Sequence, residues 1–409
     1  MSNYIGIIGI VVLLGIAYGL STNRKAINLR VVGAAFALQT IVAAFVLYSE
    51  SGRSGIEAMS RGVLAIMGYS RAGIDMIFGA MASEAHLGNG VVVFAVHVLP
   101  IIIFFASLMA VLYHIHVMQW IVKIVGTGLQ KVIGTGPVES MNAAANVFVG
   151  QTEAPLVVKP YLKGLTEPQM FAVMTSGLAS VAGTVLVAYA SFGAEMKYLL
   201  AASFMAAPGG LLMAKMLMPD EPESAGKNAP DFKFAKSEHE NVFLAAASGA
   251  SDGLRLAVNI GAMLIAFVAL IALVNGLLGW VSGWFGQEWT LQGLLGILFS
   301  PLMAVIGVPW GEAQSAGALF GEKLILNEFV AFIHLEEYLA GASDRTRAIV
   351  TFSLCGFANL SSIAILLGGL GVLVPEKRDL IGRFGLRAVA AGSLSNLMSA
   401  TLAGLMLTF

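Results

Sequence analysis

Apolar runs of about 20 residues recur along the whole chain, and they limit its fold more than any other feature. Four of these runs occupy residues 4–20, 30–48, 91–112 and 254–278. Each has about the length that an α-helix needs to cross the hydrocarbon core of a bilayer. Only 11% of the 409 residues are charged, against about 25% in ordinary soluble domains. The sequence therefore predicts an all-α membrane protein.

Charge and cysteine content argue against other classes of protein. The net charge is −1 at pH 7 and no basic tract is present, so nucleic-acid binding is not expected. A single cysteine, Cys355, allows no disulfide framework within the chain. The sequence also lacks a Gly-x-x-x-x-Gly-Lys-Ser/Thr phosphate loop, which argues against an ATP-driven pump.

Basic residues predict how the helices are oriented. Arg24 and Lys25 follow the first apolar run, which places its end in the cytoplasm and the N-terminus outside. Counting one crossing per apolar run then gives about eight transmembrane helices with both ends outside. Arg345 and Arg347 fall on the wrong side of this scheme. Residues 55–81 mix charged and apolar side chains at helical spacing, so we expect an interfacial helix there.

The two halves of the chain carry a similar order of motifs. Residues 132–139 resemble residues 305–312, and residues 177–182 resemble residues 356–364. In each copy, polar residues interrupt apolar segments. Irregular backbone at membrane depth must line a cavity or lie inside protein, so paired interruptions indicate a site near the midplane. An odd number of crossings separates the copies, which predicts an inverted repeat, with chance similarity as the alternative.

A polar stretch in the first half, residues 146–155, lies between apolar segments too short to cross a bilayer. This pattern predicts a re-entrant hairpin with Gly150 near its tip. Glu153 in this hairpin would cost roughly 2.5 to 3.5 kcal/mol on the membrane-insertion scale, so it is a functional candidate. A structural ion pair with Lys159 is the alternative.

The second half supplies a partner carboxylate, Glu328, and further polar groups at Asn359 and Ser362. Carboxylates, amides and hydroxyls without Arg or Lys nearby suit a neutral, hydroxyl-rich substrate. Gln151 and Thr152 add groups that suit a heterocyclic amide edge, although this chemistry also fits a sugar. For Asn359 and Ser362, packing between helices is the alternative.

Oxygen atoms near the first hairpin suit an alkali cation. Asn146 and Ser180 offer side-chain oxygens, and the hairpin tip and adjacent helix break free backbone carbonyls. A hydrogen bond from Ser180 back to its own helix is an equally good interpretation. His114 and His116 are spaced like metal ligands, but the sequence around them offers no completing cluster, so packing is favoured.

Three motifs together resemble those of the concentrative nucleoside transporter family. They are Gly150-Gln-Thr-Glu-Ala-Pro155, Asn327-Glu-Phe-Val330 and Cys355-Gly-Phe-Ala-Asn-Leu-Ser-Ser362. The chain looks like the compact bacterial members along its whole length. The resemblance implies a homotrimer in the bacterial inner membrane, with a scaffold part and a transport part that holds two re-entrant hairpins. It also implies sodium-coupled import of nucleosides such as uridine by an elevator-like motion.

The resemblance implies roles for individual residues as well. The residues implied to address the base are Gln151, Thr152 and Glu153. Those implied to hold the ribose hydroxyls are Glu328, Asn359 and Ser362. Those implied to form apolar walls are Val185, Leu256 and Phe357. The implied sodium ligands are Asn146, Val149, Ser180 and Val181, with the two valines acting through backbone carbonyls.

We expect four parts in the chain. Residues 1–115 contain the N-terminal helices, an interfacial helix and a scaffold part, and residues 116–218 contain the first repeat with re-entrant hairpin 1. Residues 219–290 contain a cytoplasmic linker and a long scaffold helix, and residues 291–409 contain the second repeat with re-entrant hairpin 2. Residues 220–240, rich in Pro, Ala and charge, form the linker.

Three alternatives to sodium symport remain open on the sequence. Some bacterial members of the family use protons, and Glu153 is a residue that can carry one. A channel or facilitator would move nucleosides only downhill. A membrane-embedded enzyme acting on a lipid would use Glu153 and Glu328 as acid and base. We expect a transporter rather than an enzyme.

Overall fold

The computed structural model describes residues 2–82, 93–220 and 239–407. Every regular element in these ranges is a helix, which confirms the predicted all-α class. Most of the predicted linker at residues 220–240 lies outside the described residues.

The first half of the chain contains nine helices of nine or more residues within its described part. They begin with α1 (Ser2–Gly19), α2 (Leu29–Ala43), α3 (Glu50–Phe78), α4 (Leu99–His114) and α5 (Val117–Ile133). They continue with α6 (Pro137–Ala145), α7 (Glu167–Ala179), α8 (Gly183–Ser191) and α9 (Met196–Leu217). Shorter helical turns lie at Ala44–Tyr48, Phe94–His97, Ala154–Val157 and Lys159–Leu162.

The second half begins with α10 (Val242–Gly283), a helix of 42 residues. It is followed by α11 (Leu291–Val305), α12 (Trp310–Ile325), α13 (Glu328–Ile333), α14 (Asp344–Leu354), α15 (Ser361–Gly368) and α16 (Arg378–Met406). Short turns lie at Leu335–Tyr338 and Leu370–Leu373.

In the described part of the chain, seven helices are long and apolar enough to cross a membrane. The number becomes eight if α11 and α12, bent by 118° relative to each other, form one broken span. The first apolar run forms α1, whose apolar part is shorter than these seven. Residues 55–81 are helical as predicted: they lie in α3 and in the 3-10 turn Gly79–Ala82 that follows it, and Glu50–Ala82 by length and composition also qualifies as a span. Its interfacial position stays a prediction.

The two halves share one order of helices. The series α5, α6, α7, α8 and α9 corresponds to α11, α12, α14, α15 and α16. The similar segments 132–139 and 305–312 each contain a glycine at the turn between two helices. The backbone there has a positive φ, 85° at Gly134 and 113° at Gly307, which favours glycine. The glycines therefore mark the same turn in both halves.

Three helices form the buried centre, and they place the loops that carry the polar motifs. Helices α7, α9 and α16 are buried along most of their length, whereas α3, α4 and α10 expose most of their surface. Helix α10 packs along α4 at small residues, where a Cβ on Gly253 would lie 2.8 Å from the Cβ of Ala106. Such close approach through small residues is typical of helix packing in membranes.

Arg347, one of the two basic residues that disagree with the predicted orientation, forms a salt bridge. Its guanidinium donates to both carboxylate oxygens of Glu336, at 2.8 and 3.0 Å. These charge-assisted hydrogen bonds hold the pKa of the Glu336 carboxyl below its usual range. The pair has no net charge, which reduces the penalty of placing Arg347 on that side of the membrane.

Helices α11 and α12 pack closely at Gly317, and this contact gives a test of the fold. A Cβ there would lie 2.8 Å from the carbonyl oxygen of Gly296, so Gly317→Ala must push the helices apart. We expect a loss of about 1–3 kcal/mol and a lower Tm of the purified protein. Gly311→Ala, in the same helix with nothing near its Cβ, serves as the control. Equal Tm values for the two variants would contradict this packing.

Candidate functional site

Two loops and two helix interruptions meet at the centre of the protein. Tip 1 is the loop at residues 146–153 between α6 and the turn that follows, and break 1 is residues 180–182 between α7 and α8. Tip 2 is residues 326–327 between α12 and α13, and break 2 is residues 355–360 between α14 and α15. Both predicted helix interruptions are therefore present.

Tip 1 packs directly on break 1. The Gly183 N–H donates to the Phe148 carbonyl oxygen at 3.0 Å, and a Cβ on Gly183 would lie 2.7 Å from that oxygen. At the end of α7, a Cβ on Gly177 would lie 2.9 Å from the Cβ of Gln151. Glycine at positions 177 and 183 thus lets the loop backbone reach the broken helix.

Tip 1 and break 1, which pack on each other, both contain buried oxygen atoms without donors. The Asn146 Nδ2 donates to the Asn142 carbonyl oxygen at 2.9 Å, but its Oδ1 is buried with no hydrogen-bond partner. Within the described residues, the carbonyl oxygens of Val149 and Val181 accept no hydrogen bond either. Buried acceptors without donors are costly, so this group of oxygens favours a cation.

Ser180 lies beside these oxygens and is itself buried. Its hydroxyl donates to the Gly177 carbonyl oxygen at 3.2 Å, which is the bond back to its own helix considered above. The hydroxyl oxygen keeps lone pairs that can still face a cation. The structural and ligand interpretations of Ser180 are therefore compatible.

One cavity lies between the two tips, the two breaks and α10. The volume of this cavity is about 140 Å3. All nine predicted substrate residues line it: Gln151, Thr152, Glu153, Val185, Leu256, Glu328, Phe357, Asn359 and Ser362. Groups from both halves thus share one space, and both Glu153 and Glu328 belong to its lining.

Glu328 is held at the start of α13 by two donors. The Tyr189 hydroxyl donates to Oε1 at 3.0 Å, and the Asn359 Nδ2 donates to Oε2 at 2.9 Å. Asn359 is oriented in turn, because its Oδ1 accepts from the Ser361 hydroxyl at 2.7 Å and from the Ser362 N–H at 2.8 Å. Asn359 therefore packs break 2 against α13 and also fixes the carboxylate that faces the cavity.

Tip 1 contributes the opposite side of the cavity. Glu153 Oε2 accepts from the Gly150 N–H at 2.6 Å, and the described residues show no salt bridge between Glu153 and Lys159. Gln151 Nε2 donates to the Ser362 hydroxyl at 3.3 Å and joins the two halves. The Gln151 Oε1 and the Asn327 Nδ2 are buried without a protein partner, which leaves one acceptor and one donor for a ligand.

The structure adds cavity residues that the sequence did not single out. The polar ones are Tyr189, Asn327 and Ser361, and the apolar ones are Ile260, Met263, Leu264, Phe329 and Ile365. Asn327 and Ser361 stand within the quoted motifs. Helical spacing from Leu256 could have indicated Ile260 and Leu264, since residues four apart share a helix face. Tyr189 stands four residues after Val185, which is a similar but weaker signal.

The expectation that no basic side chain lies near this polar set needs a correction. Lys323 in α12 is fully buried and close enough for its charge to act on the Glu328 carboxylate. Its ammonium does not line the cavity, because it donates to the Ser353 carbonyl oxygen and to Asn396 Oδ1, both at 2.7 Å. The cavity itself keeps its neutral and acidic lining, and it still suits a neutral substrate.

Family models match most of the chain. The model described as Na+ dependent nucleoside transporter C-terminus matches residues 198–404, and its N-terminal counterpart matches residues 8–81. A model described as nucleoside recognition matches residues 95–196.

Individual relatives agree with these matches. The chain is 49% identical to nucleoside permease NupC of Helicobacter pylori over 99% of this chain and 98% of the relative. It is 36% identical to sodium/nucleoside cotransporter 1 of Mus musculus over 97% of this chain and 63% of that protein.

Solved structures of CNTnw are similar in fold. In its inward-facing substrate-bound state CNTnw matches with a TM-score of 0.95 at 52% identity, covering 100% of this chain and 98% of that chain. A double mutant of CNTnw in an outward-facing state also matches with a TM-score of 0.95, at 50% identity, covering 100% and 99%.

The hydrogen bond from Tyr189 gives a test of the site's architecture. Tyr189→Phe leaves a buried carboxylate oxygen of Glu328 without this donor, so we expect a loss of about 1–3 kcal/mol. The loss should lower the Tm of the purified protein. Tyr69→Phe, on a side chain that is 74% exposed, is the matched control and should change nothing. A Tyr189→Phe protein as stable as this control would refute the assigned hydrogen bond.

Proposed function

Because this chain belongs to the family of Na+ dependent nucleoside transporters, we propose that it imports nucleosides by coupling them to an inward sodium gradient. Family membership confirms the resemblance seen in the three motifs. The relatives are transporters and permeases, so the membrane enzyme considered above is excluded. The proposed substrate class rests on the shared cavity, whose lining includes Glu328.

The cavity chemistry suits a nucleoside better than a plain sugar. The Glu328 carboxylate and the Asn359 amide stand side by side, as a pair of neighbouring ribose hydroxyls requires. Across the cavity, Gln151 has a free acceptor oxygen, and Thr152 and Glu153 complete a polar edge for the base. Val185, Leu256 and Phe357 supply apolar walls for the faces of the base, which a sugar would not need. Ser362 completes the proposed ribose group.

We place sodium, the co-transported cation, at the oxygens between tip 1 and break 1. Its proposed ligands are Asn146, Val149, Ser180 and Val181. Support comes from the unpartnered Asn146 Oδ1 and the two free valine carbonyls. Tip 1 also carries Gln151 to Glu153, so an ion that orders this loop also orders the base-binding side. This shared loop gives the two ligands a coupling free energy.

We further propose the family architecture for this chain. Helix α6, with nine residues, is too short to cross a bilayer, which supports a re-entrant hairpin at residues 137–162. The corresponding helices at residues 310–338 would form the second hairpin. The expected four-part division of the chain and a homotrimer in the bacterial inner membrane belong to the same proposal. Similarity to both inward-facing and outward-facing CNTnw supports an elevator-like motion of the hairpin-bearing part.

Uptake into proteoliposomes tests the proposed transport. We expect tritiated uridine to accumulate above the outside concentration when sodium is higher outside. Glu328→Gln and Asn359→Ala each remove a ribose partner, so we expect uptake to fall by about 10- to 100-fold, or about 1.5–3 kcal/mol. Glu337→Gln, on an exposed carboxylate in the same half, should leave uptake unchanged.

The same assay separates the alternatives. A facilitator would only equalise the two uridine concentrations, and a proton symporter would accumulate uridine with a proton gradient and no sodium. Either result would replace sodium symport as the function of this chain.

The sodium ligands have their own test. Asn146→Ala removes a buried amide oxygen from the proposed ion site, so we expect the half-saturating sodium concentration to rise by about tenfold. Uridine uptake measured over a range of sodium concentrations gives this value. The matched control is Asn23→Ala, which changes an exposed asparagine between α1 and α2. An unchanged sodium dependence in Asn146→Ala would place the ion elsewhere.

A further inference from the structure

The carbonyl ends of two broken helices meet at one buried point. Helix α7 ends at Ala179 and α14 ends at Leu354, and the Phe357 N–H within break 2 donates to the Ser180 carbonyl oxygen at 3.0 Å. The C-terminal end of a helix carries about half a negative charge. Two such ends side by side amount to about one negative charge away from water. A positively charged group nearby would stabilise them.

A single amide from α16 joins these two helix ends. Asn396 Nδ2 donates to the Ala179 carbonyl oxygen at 2.6 Å and to the Cys355 carbonyl oxygen at 2.9 Å. A Cβ on Gly356 would lie 2.2 Å from Asn396 Oδ1, so only glycine allows the break to approach this closely. The amide supplies two hydrogen bonds to the crossing but no charge.

Lys323 is the basic side chain bound at this crossing. This lysine has no exposed surface, and its ammonium donates to the Ser353 carbonyl oxygen and to Asn396 Oδ1, both at 2.7 Å. No carboxylate among the described residues forms a salt bridge with it. Lys215, another buried lysine, is by contrast bound to Glu139 and Asp220. The direct partners of Lys323 are thus a backbone carbonyl and an amide oxygen, the same oxygen types that surround the proposed sodium ion.

The two repeats differ at this position. Lys323 lies near the end of α12, and the corresponding helix α6 contains no Lys or Arg over Pro137–Ala145. The first repeat instead leaves Asn146 Oδ1 without a partner. We propose that the Lys323 ammonium is a resident cation in the second repeat, placed where the first repeat takes up sodium. Resting on the proposed sodium coupling, this assigns one sodium ion to each nucleoside.

Replacing the ammonium tests the proposal. Lys323→Gln removes the charge and adds an amide oxygen beside the Ser353 carbonyl and Asn396 Oδ1, so a second sodium ion should bind there. We expect the Hill coefficient for sodium in uridine uptake to rise from about 1 toward about 2. Lys323→Met offers neither charge nor oxygen, and its uptake should fall by about tenfold or more at every sodium concentration.

Lys215→Gln is the matched control, since it removes the other buried lysine described above, and its Hill coefficient should stay at about 1. Sodium dependence in Lys323→Gln identical to that of the wild type would overturn the proposal, as would full uptake by Lys323→Met. Should both Lys323 variants fail to fold, the ratio of charge to uridine carried by the wild type decides. One charge per uridine supports the resident cation, and two charges overturn it.

The two proposals fail in different ways. If uridine uptake by the wild type did not depend on sodium, the proposed sodium symport would be refuted. Sodium-dependent wild-type uptake with an unchanged Lys323→Gln variant would remove only the role given to Lys323.

Discussion

A helix that stops inside a membrane leaves up to four carbonyl groups without donors, and lipid supplies none. The centre of this protein is organised around that requirement. Its two broken helices lie against each other, so that the backbone within break 2 donates to break 1, and Asn396 donates to both helix ends. Helix α16 must therefore lie against α7 and α14, which explains why it belongs to the buried centre.

The same interruptions that create unsatisfied carbonyls also create the site. Regular helices would hide their backbone oxygens in internal hydrogen bonds, and a cation could not reach them. Break 1 frees the Val181 carbonyl, and tip 1, which packs on break 1, carries the unpartnered Val149 carbonyl and Asn146 amide oxygen. The residues that follow in tip 1 then line the cavity. In the proposed arrangement, one short loop therefore carries both ion and substrate groups.

Polar residues inside apolar segments can be seen directly in the sequence, so this pattern predicted tip 1, both breaks and the polar residues of the cavity. The second hairpin and the apolar walls Val185, Leu256 and Phe357 were implied by the family resemblance. Contacts between segments that are far apart in the sequence produce no such pattern. Tyr189 donates to Glu328 across 139 positions, and nothing near Tyr189 indicates this partner. The sequence analysis did not single out Lys323, because its partners belong to α14 and α16. For α3, the charge pattern predicted an interfacial helix, although its length and composition also fit a span.

The repeats are similar in backbone and different in chemistry, and the difference matters for coupling. A symporter needs one side of its site to respond to the ion and another side to stay formed throughout the cycle. In the proposed mechanism, the buried Asn146 Oδ1 without a donor would make the order of tip 1 depend on a bound cation. Near tip 2, the proposed resident cation Lys323 would stay in place, held by the Ser353 carbonyl oxygen and Asn396 Oδ1. In this proposal the ribose side remains formed while the base side responds to sodium.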